Sequence, residues 1–427
     1  MNLVNYKEEA QNLDSEDELR AYRDKFYFPE TEADQCIYFV GNSLGLQPKN
    51  VTKYINIELE DWAKFGVEGH FHARHPWYSY HELLMKKGAD IVGAKEGEVV
   101  HMNGLTTNLH LLMVSFYRPT NSRYKILCEG KAFPSDQYAL ESQVRFHGHE
   151  PEEAIIELYP REGEHTLREE DIELAIEDFK DELALVFIGG VNYYTGQLFD
   201  MKRIAAKARQ CEITVGFDLA HAAGNVPLQL HDWEVDFAAW CTYKYLNSGP
   251  GSISGVFVHE KHANDKSLPR FAGWWGHNKE ERFKMEPGFD PISGAEGWQL
   301  SNAPVFAMAP HLASLEIFHE VGMDKLRSKS IKMSAFLEKM VRSVANSNKA
   351  NLEIITPESP ERRGCQLSLL AHGYGKEIFD YLQNNGVFSD WREPNVIRIA
   401  AVPLYNSYMD CYHFAELLNS GLKKFSS

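Results

Sequence analysis

Thr214-Val215-Gly216-Phe217-Asp218-Leu219-Ala220-His221 reads as a short apolar strand that ends in an aspartate, with a histidine three residues later. A second apolar run over residues 237–242 delivers Tyr243-Lys244-Tyr245 to the loop Leu246-Asn247-Ser248-Gly249-Pro250-Gly251. Outward from these two, further short apolar runs lie at 99–102, 124–128 and 183–188, the last ending at Gly189-Gly190, with helical stretches such as 204–211 between them. Apolar runs of strand length separated by helices favour a mostly parallel sheet covered by helices on both faces, an α/β architecture.

The pattern changes after Pro310. Helical periodicity dominates 311–346, and strands are expected near 351–355, 365–370 and 396–400, which together read as a smaller C-terminal α+β domain. At the other end, an acidic amphipathic helix is expected around 16–26. It is followed by Tyr38-Phe39-Val40 and the loop Gly41-Asn42-Ser43-Leu44-Gly45, whose two glycines predict a sharp turn that approaches something closely. The expected division is an N-terminal segment 1–50, a large domain 51–309 and a small domain 310–427.

The 427 residues are 44% hydrophobic, ample for a large core, so a disordered or disulfide-stapled chain is excluded. The net charge of −17 opposes generic attraction to nucleic acid or anionic membranes, though a local cationic pocket is compatible with it. Six dispersed cysteines form neither a metal-binding pair nor a disulfide scaffold, and no metal is expected. The first twenty residues lack a secretory pattern, no apolar run approaches membrane length, and a cytoplasmic protein is the expectation. No repeat appears, and neither GxGxxG at a first strand nor GxxxxGK[ST] supports a dinucleotide or ATP site.

Open parallel sheets bind ligands beyond the carboxyl ends of their strands. Thr106/Thr107, residues 133–136, Asp218 to His221, and Tyr243-Lys244 all fall at such ends. Asp218 can pair with a protonated ring nitrogen or cap the next helix. His221 can stack in a pocket or serve as a structural histidine. A lysine among apolar groups loses its proton more readily and can form a Schiff base. Lys244, Asp218 and the Thr106 hydroxyl with its neighbouring amides would supply what pyridoxal phosphate needs: an aldehyde partner, a carboxylate for the pyridine nitrogen and phosphate donors, with Phe133 or His221 flanking the ring.

Seven strings carry a family resemblance: YFVGNSLGLQPK, KAFPSDQYALESQ, GFDLAHAAGN, HDWEVDFAAWCTYKYLNSGPG, GWWGH, CQLS and RIAAVPLYNS. Spread from Tyr38 to Tyr408, they resemble the kynureninase family of fold type I pyridoxal phosphate enzymes, in the aminotransferase class V group. The resemblance implies a seven-stranded, mostly parallel sheet in the large domain and pyridoxal 5'-phosphate linked covalently to Lys244. It also implies Asp218 at the pyridine nitrogen and Phe133 on the ring, with Leu105, Thr106, Tyr243 and Trp274 near the phosphate. Asp136, His221 and Asn302 complete the cofactor positions, and adjacent Trp275 reads as structural. Arg398 resembles the arginine that binds the amino-acid carboxylate. Ser43, His70, Ser301 and Asn302 resemble the other substrate contacts, with His72 a rival to His70.

The implied reaction is hydrolysis of L-kynurenine to anthranilate and L-alanine, with 3-hydroxykynurenine a second substrate, in a homodimer with shared active sites. Lys244 and Tyr243 would be the proton-moving residues. Asp-x-x-His followed by a lysine also fits cysteine desulfurases and selenocysteine lyases, which normally need a mobile nucleophilic cysteine. Cys241 and Cys365 read instead as core residues. A non-enzymatic binding protein on the same scaffold would not need the full set of substrate and cofactor residues.

Overall fold

The computed structural model describes residues 3–33 and 35–425. Two short strands tie the small domain to the N-terminal segment: β1 (Ile37–Tyr38) pairs in parallel with Val387–Phe388. The large sheet comprises β2 (Val99–Met102), β3 (Lys125–Glu129), β4 (Ile155–Leu158), β5 (Leu183–Gly189), β6 (Thr214–Asp218), β7 (Phe237–Cys241) and β8 (Ser254–Val258). Its order is β2-β8-β7-β6-β5-β3-β4. The β4-β3-β5-β6-β7 run is parallel, and β8 is antiparallel to both β7 and β2. This is the mostly parallel seven-stranded sheet expected above.

Close packing explains why β6 holds its position. A Cβ on Gly216 would lie 2.2 Å from the Phe237 ring, so only glycine leaves room for that ring on the neighbouring strand. Phe237 in turn stacks on Phe116 at 4.8 Å and on Phe187 at 6.1 Å. The carboxyl ends of β6 and β7 are thereby fixed side by side, with Asp218 paired in register to Ala239.

In the small domain, β9 (Leu352–Ile354), β10 (Gln366–Ala371), β11 (Val387–Phe388), β12 (Asp390–Arg392) and β13 (Val396–Ala400) follow the helix Met323–Asn348. Four of them form an antiparallel sheet in the order β12-β13-β10-β9. The helices Met323–Asn348 and Tyr408–Phe425 cover it through Met333, Leu337, Phe414 and Leu418. Tyr6, Ala10, Ile37 and Phe39 of the N-terminal segment join the same core.

Some local expectations are corrected. The α-helix at the N-terminus spans Leu3–Ser15, and 16–26 contains only the 3-10 turn Arg20–Lys25. Two aspartates around the helix end accept backbone amides, while Glu16, Glu18 and Asp24 are exposed. Asp14 receives the amides of Tyr408 and Met409 at 2.7 and 3.0 Å, and Asp17 receives that of Leu19 at 2.9 Å. The helical periodicity read over 311–346 is found as two helices, Val305–Val321 and Met323–Asn348, broken at Gly322 with φ 81°. The first starts before Pro310 and contains it. β8 escaped the periodicity reading because it opens on Ser254-Gly255. Gly255 lies against the Trp240 indole, where a Cβ would meet it at 2.1 Å.

Candidate active site

A cavity of about 240 Å³ opens where the strand ends converge. Leu105, Thr106 and Thr107 line it from the first turn of the helix Leu105–Phe116; Phe133 and Ser135 from the start of Pro134–Phe146; Asp218, Ala220 and His221 from beyond β6; and Tyr243 and Lys244 from beyond β7. The first amides of Leu105–Phe116 have no carbonyl four residues back to bond, and with the helix dipole they favour an anion. A larger apolar cavity of about 530 Å³, between Phe28, Leu46 and Pro250, carries no acid, base or cation in its lining.

Lys244 Nζ lies 3.0 Å from His221 Nε2 and 5.6 Å from the Phe133 ring centroid. Burial, the neighbouring Lys244 and the guanidinium charges of Arg398 and Arg392 hold the His221 imidazole far below its usual range, so it is neutral and can accept from the lysine. Asp218 Oδ1 accepts from Ala220 N at 2.7 Å, which fixes the carboxylate at the end of β6. Asp136 is buried beside it, and burial followed by the Asp218 charge pushes its carboxyl up. Glu129, at the end of β3, is pushed up to about 8, mainly by burial. Tyr243 is raised as well, by burial first and then by Cys241, so its phenol stays a proton donor at neutral pH.

The fit to a pyridoxal phosphate group rests on atoms that the protein leaves unsatisfied. His221 Nδ1 and Asp136 Oδ1 are buried without hydrogen-bond partners among the described residues. Three buried carboxyls, Glu129, Asp136 and Asp218, sit close enough for the Asp218 charge to add to burial in pushing up the other two, and a cationic ring nitrogen placed among them would relieve that crowding. The anion-favouring helix end lines the same cavity as Asp218 and Lys244. These residues fit the group.

Arg398 sits on β13, with a side chain only 1% exposed. It donates from Nη1 to Tyr193 O at 2.6 Å and from Nη2 to Ser43 Oγ at 3.2 Å and to Asp390 Oδ2. Tyr193, whose ring centroid is 5.2 Å from that of Phe133, connects this arginine to the cavity wall. The Gly41–Gly45 loop brings Ser43 here. Gly45 N donates to Tyr243 O at 2.8 Å, and a Cβ on Gly45 would lie 2.4 Å from Lys244 O, the close approach that its glycines predicted.

Other expected residues lie elsewhere in the chain. His70 and Asn302 line a separate cavity of about 230 Å³ with Glu58, Trp62 and Trp77. His72 is exposed beside Glu68. Ser301 is exposed and lines neither cavity. Trp274 is 43% exposed and donates from Nε1 to Arg282 O at 3.1 Å in a third cleft, whereas Trp275 is buried against the Arg282 guanidinium. Cys241 and Cys365 are buried. Sequence reading missed Glu129, Tyr193, Asp390 and Arg392. The alternation of Asp390 and Arg392 just before Ile397-Arg398-Ile399 was the available signal for the last two.

A family model described as the kynureninase C-terminal domain matches residues 326–418. The kynureninase of Flavobacterium psychrophilum is 59% identical over 418 residues, covering 98% of each chain. That of Flavobacterium johnsoniae is 58% identical over 422 residues, covering 99% of each. Among solved structures, the cysteine desulfurase CsdA from Escherichia coli shares the fold with a TM-score of 0.75 at 16% identity, covering 95% of this chain and 98% of its own.

Proposed function

The chain belongs to the kynureninase family of pyridoxal phosphate enzymes, and from that premise we propose that it hydrolyses L-kynurenine to anthranilate and L-alanine, and 3-hydroxykynurenine to 3-hydroxyanthranilate, at the Lys244 cavity. The observation that carries this reading is the contact of Lys244 Nζ with the neutral His221 imidazole at 3.0 Å, beside the Asp136–Asp218 carboxyl pair. The proposed organisation is a large cofactor-binding domain 51–309, a small domain 310–427 and the 1–50 segment that supplies Ser43, with the helix Val305–Val321 running across the border between the two domains.

When bound, pyridoxal phosphate supplies an electron sink that makes the bonds at the amino-acid α-carbon labile. In this assignment Lys244 would hold the cofactor covalently, and its free amine would take the α-proton of the substrate. His221 accepts a hydrogen bond from the lysine and keeps its nitrogen aimed at the cavity. Asp218, in contact with Asp136, would pair with the pyridine nitrogen. Leu105 and Thr106 would donate to the phosphate from the helix end, and Phe133 would stack on the ring. Arg398 and Ser43 take the substrate carboxylate, whose planar geometry a guanidinium matches with two parallel bonds. Tyr243, a phenol that keeps its proton, is placed to return one to the carbon chain that remains behind as alanine.

His70, Ser301, Asn302 and Trp274 do not line the Lys244 cavity of their own chain. We assign them to the corresponding cavity of a partner copy in a homodimer with shared sites. There His70 and Asn302 would meet the aryl end of the substrate, and Trp274 the phosphate. The desulfurase reading is disfavoured because Cys241 and Cys365 are buried, leaving neither free to swing onto a substrate sulfur. No described helix is long and apolar enough to cross a membrane, and we place the enzyme in the cytoplasm.

The test is turnover of L-kynurenine, 3-hydroxykynurenine and free L-cysteine by the cofactor-loaded protein, with products separated by chromatography. Anthranilate and 3-hydroxyanthranilate are expected from the first two and no sulfide from the third. Sulfide without either aromatic acid would replace this reading with the desulfurase one.

A further inference from the structure

The arginine assigned above to the substrate carboxylate already holds a carboxylate of its own chain. Asp390 and Arg398 are directly opposite each other on the antiparallel strands β12 and β13. Asp390 Oδ2 receives Arg398 Nη2, Ser43 Oγ and, at 3.0 Å, Arg392 Nη2. Three donors thus converge on one oxygen, and two of them, Arg398 Nη2 and Ser43 Oγ, are the groups assigned to the substrate. Arg398 Nη1 is committed to Tyr193 O, while its Nε is buried with no hydrogen-bond partner among the described residues. A carboxylate seated with two parallel bonds therefore has the Nε–Nη2 edge to use, and Asp390 occupies its Nη2 corner.

Charge bookkeeping leads the same way. Arg392 and Arg398 both depress the His221 imidazole, so both act on the Lys244 cavity. With Asp390 ionised, the trio carries one net positive charge, which an amino-acid carboxylate would neutralise. Arg392 is two residues from Asp390 on the same face of β12, so it can keep the aspartate oxygen after Arg398 lets go.

Resting on the carboxylate-binding role assigned to Arg398, we propose that Asp390 is an internal competitor for the substrate carboxylate. It holds the Nη2 corner of Arg398 and Ser43 in the free protein and retires onto Arg392 when an amino acid takes the Nε–Nη2 edge. It partners the arginine when no substrate is present, and it weakens the binding of every carboxylate ligand by the fraction of time it is in place. Specificity follows, because a ligand without a well-placed carboxylate gains nothing by displacing it.

The experiment measures binding of L-alanine and of ethylamine, its analogue without the carboxylate, to the cofactor-loaded protein, read from the visible absorbance of the cofactor. If Asp390 occupies the corner about nine-tenths of the time, Asp390→Asn tightens L-alanine about tenfold and leaves ethylamine unchanged. The inhibition constant of acetate, a bare carboxylate, should then fall about tenfold relative to the parent. Asp390→Ser gives the same pattern and serves if the asparagine variant fails to fold. Weaker or unchanged L-alanine binding, or equal shifts for both amines, would overturn the proposal and leave Asp390 a cross-strand strut. Arg398→Gln separates the two assignments, because it should abolish the preference for L-alanine over ethylamine. If that preference survives, the Arg398 assignment itself fails; if it is lost while the Asp390 variants do not tighten L-alanine, only the competitor proposal fails.

Discussion

At the scale of single residues, the site is a set of buried titratable groups whose environments drive their proton affinities apart. His221 is kept neutral, Asp136 is pushed toward its protonated form, and Glu129 is raised from 4.5 to about 8. The Glu129 shift has a definite sign in stability. Between pH 4.5 and 8 the folded protein holds a proton that the unfolded chain has lost, so stability declines as pH rises through that window and levels off above it. Glu129→Gln removes the penalty. The cofactor-free variant should be more stable than the parent by a few kcal/mol at pH 8, with the gap closing toward pH 4.5, read from urea midpoints across that range. Lys244, Asp218, Phe133 and Thr106 were legible as residues of this pocket because each follows an apolar run, and the ends of such runs are where a parallel sheet gathers its ligands. Glu129 was not legible. An acid at a strand end looks like any solvated acid until burial is known.

At the scale of elements, β6 and β7 carry the arrangement, since Asp218 and Lys244 gain their spacing from the register between these strands. Gly216→Ala would drive a methyl group into the Phe237 ring. A cost of about 1–3 kcal/mol in unfolding free energy is expected from such overpacking. Because the strain falls between the two strands, the affinity for pyridoxal phosphate should also drop, measured by equilibrium titration of the cofactor-free variant. Unchanged stability and affinity would mean that the strands accommodate the methyl group without moving. The parallel strands announced themselves as apolar runs. β12 did not, because Asp390-Trp391-Arg392 is half-buried and polar, and its importance comes from cross-strand register with β13, which local periodicity does not encode. The N-terminal helix was misplaced for a related reason: Asp14 and Asp17 satisfy distant or turn amides, a role visible only once the chain is folded.

At the scale of the whole molecule, the residues of one chain divide into groups that do not meet. Lys244 and its neighbours line one cavity, while His70 and Asn302 line another and Trp274 a third. A shared-site dimer makes sense of that division and has a functional signature. Lys244→Ala and Asn302→Ala should each be nearly inactive alone, and mixing them under conditions of subunit exchange should restore about a quarter of the parental activity. Half of the random dimers are then mixed, and each holds one intact site of two. No recovery, with exchange confirmed by sedimentation of differently tagged chains, would place all the groups in one chain's site. The sequence implied this sharing only through resemblance, because no composition or spacing distinguishes a residue that serves its own chain from one that serves a neighbour.

The assignment of kynurenine hydrolysis to the cavity around Lys244 is tested most directly by the rate of anthranilate fluorescence from L-kynurenine, parent against Lys244→Ala, both supplied with pyridoxal phosphate. The parent should release anthranilate, and the variant should lose on the order of 10³-fold or more of that rate while keeping its fold. A variant that turns over L-kynurenine at the parental rate would contradict the placement of the reaction at Lys244.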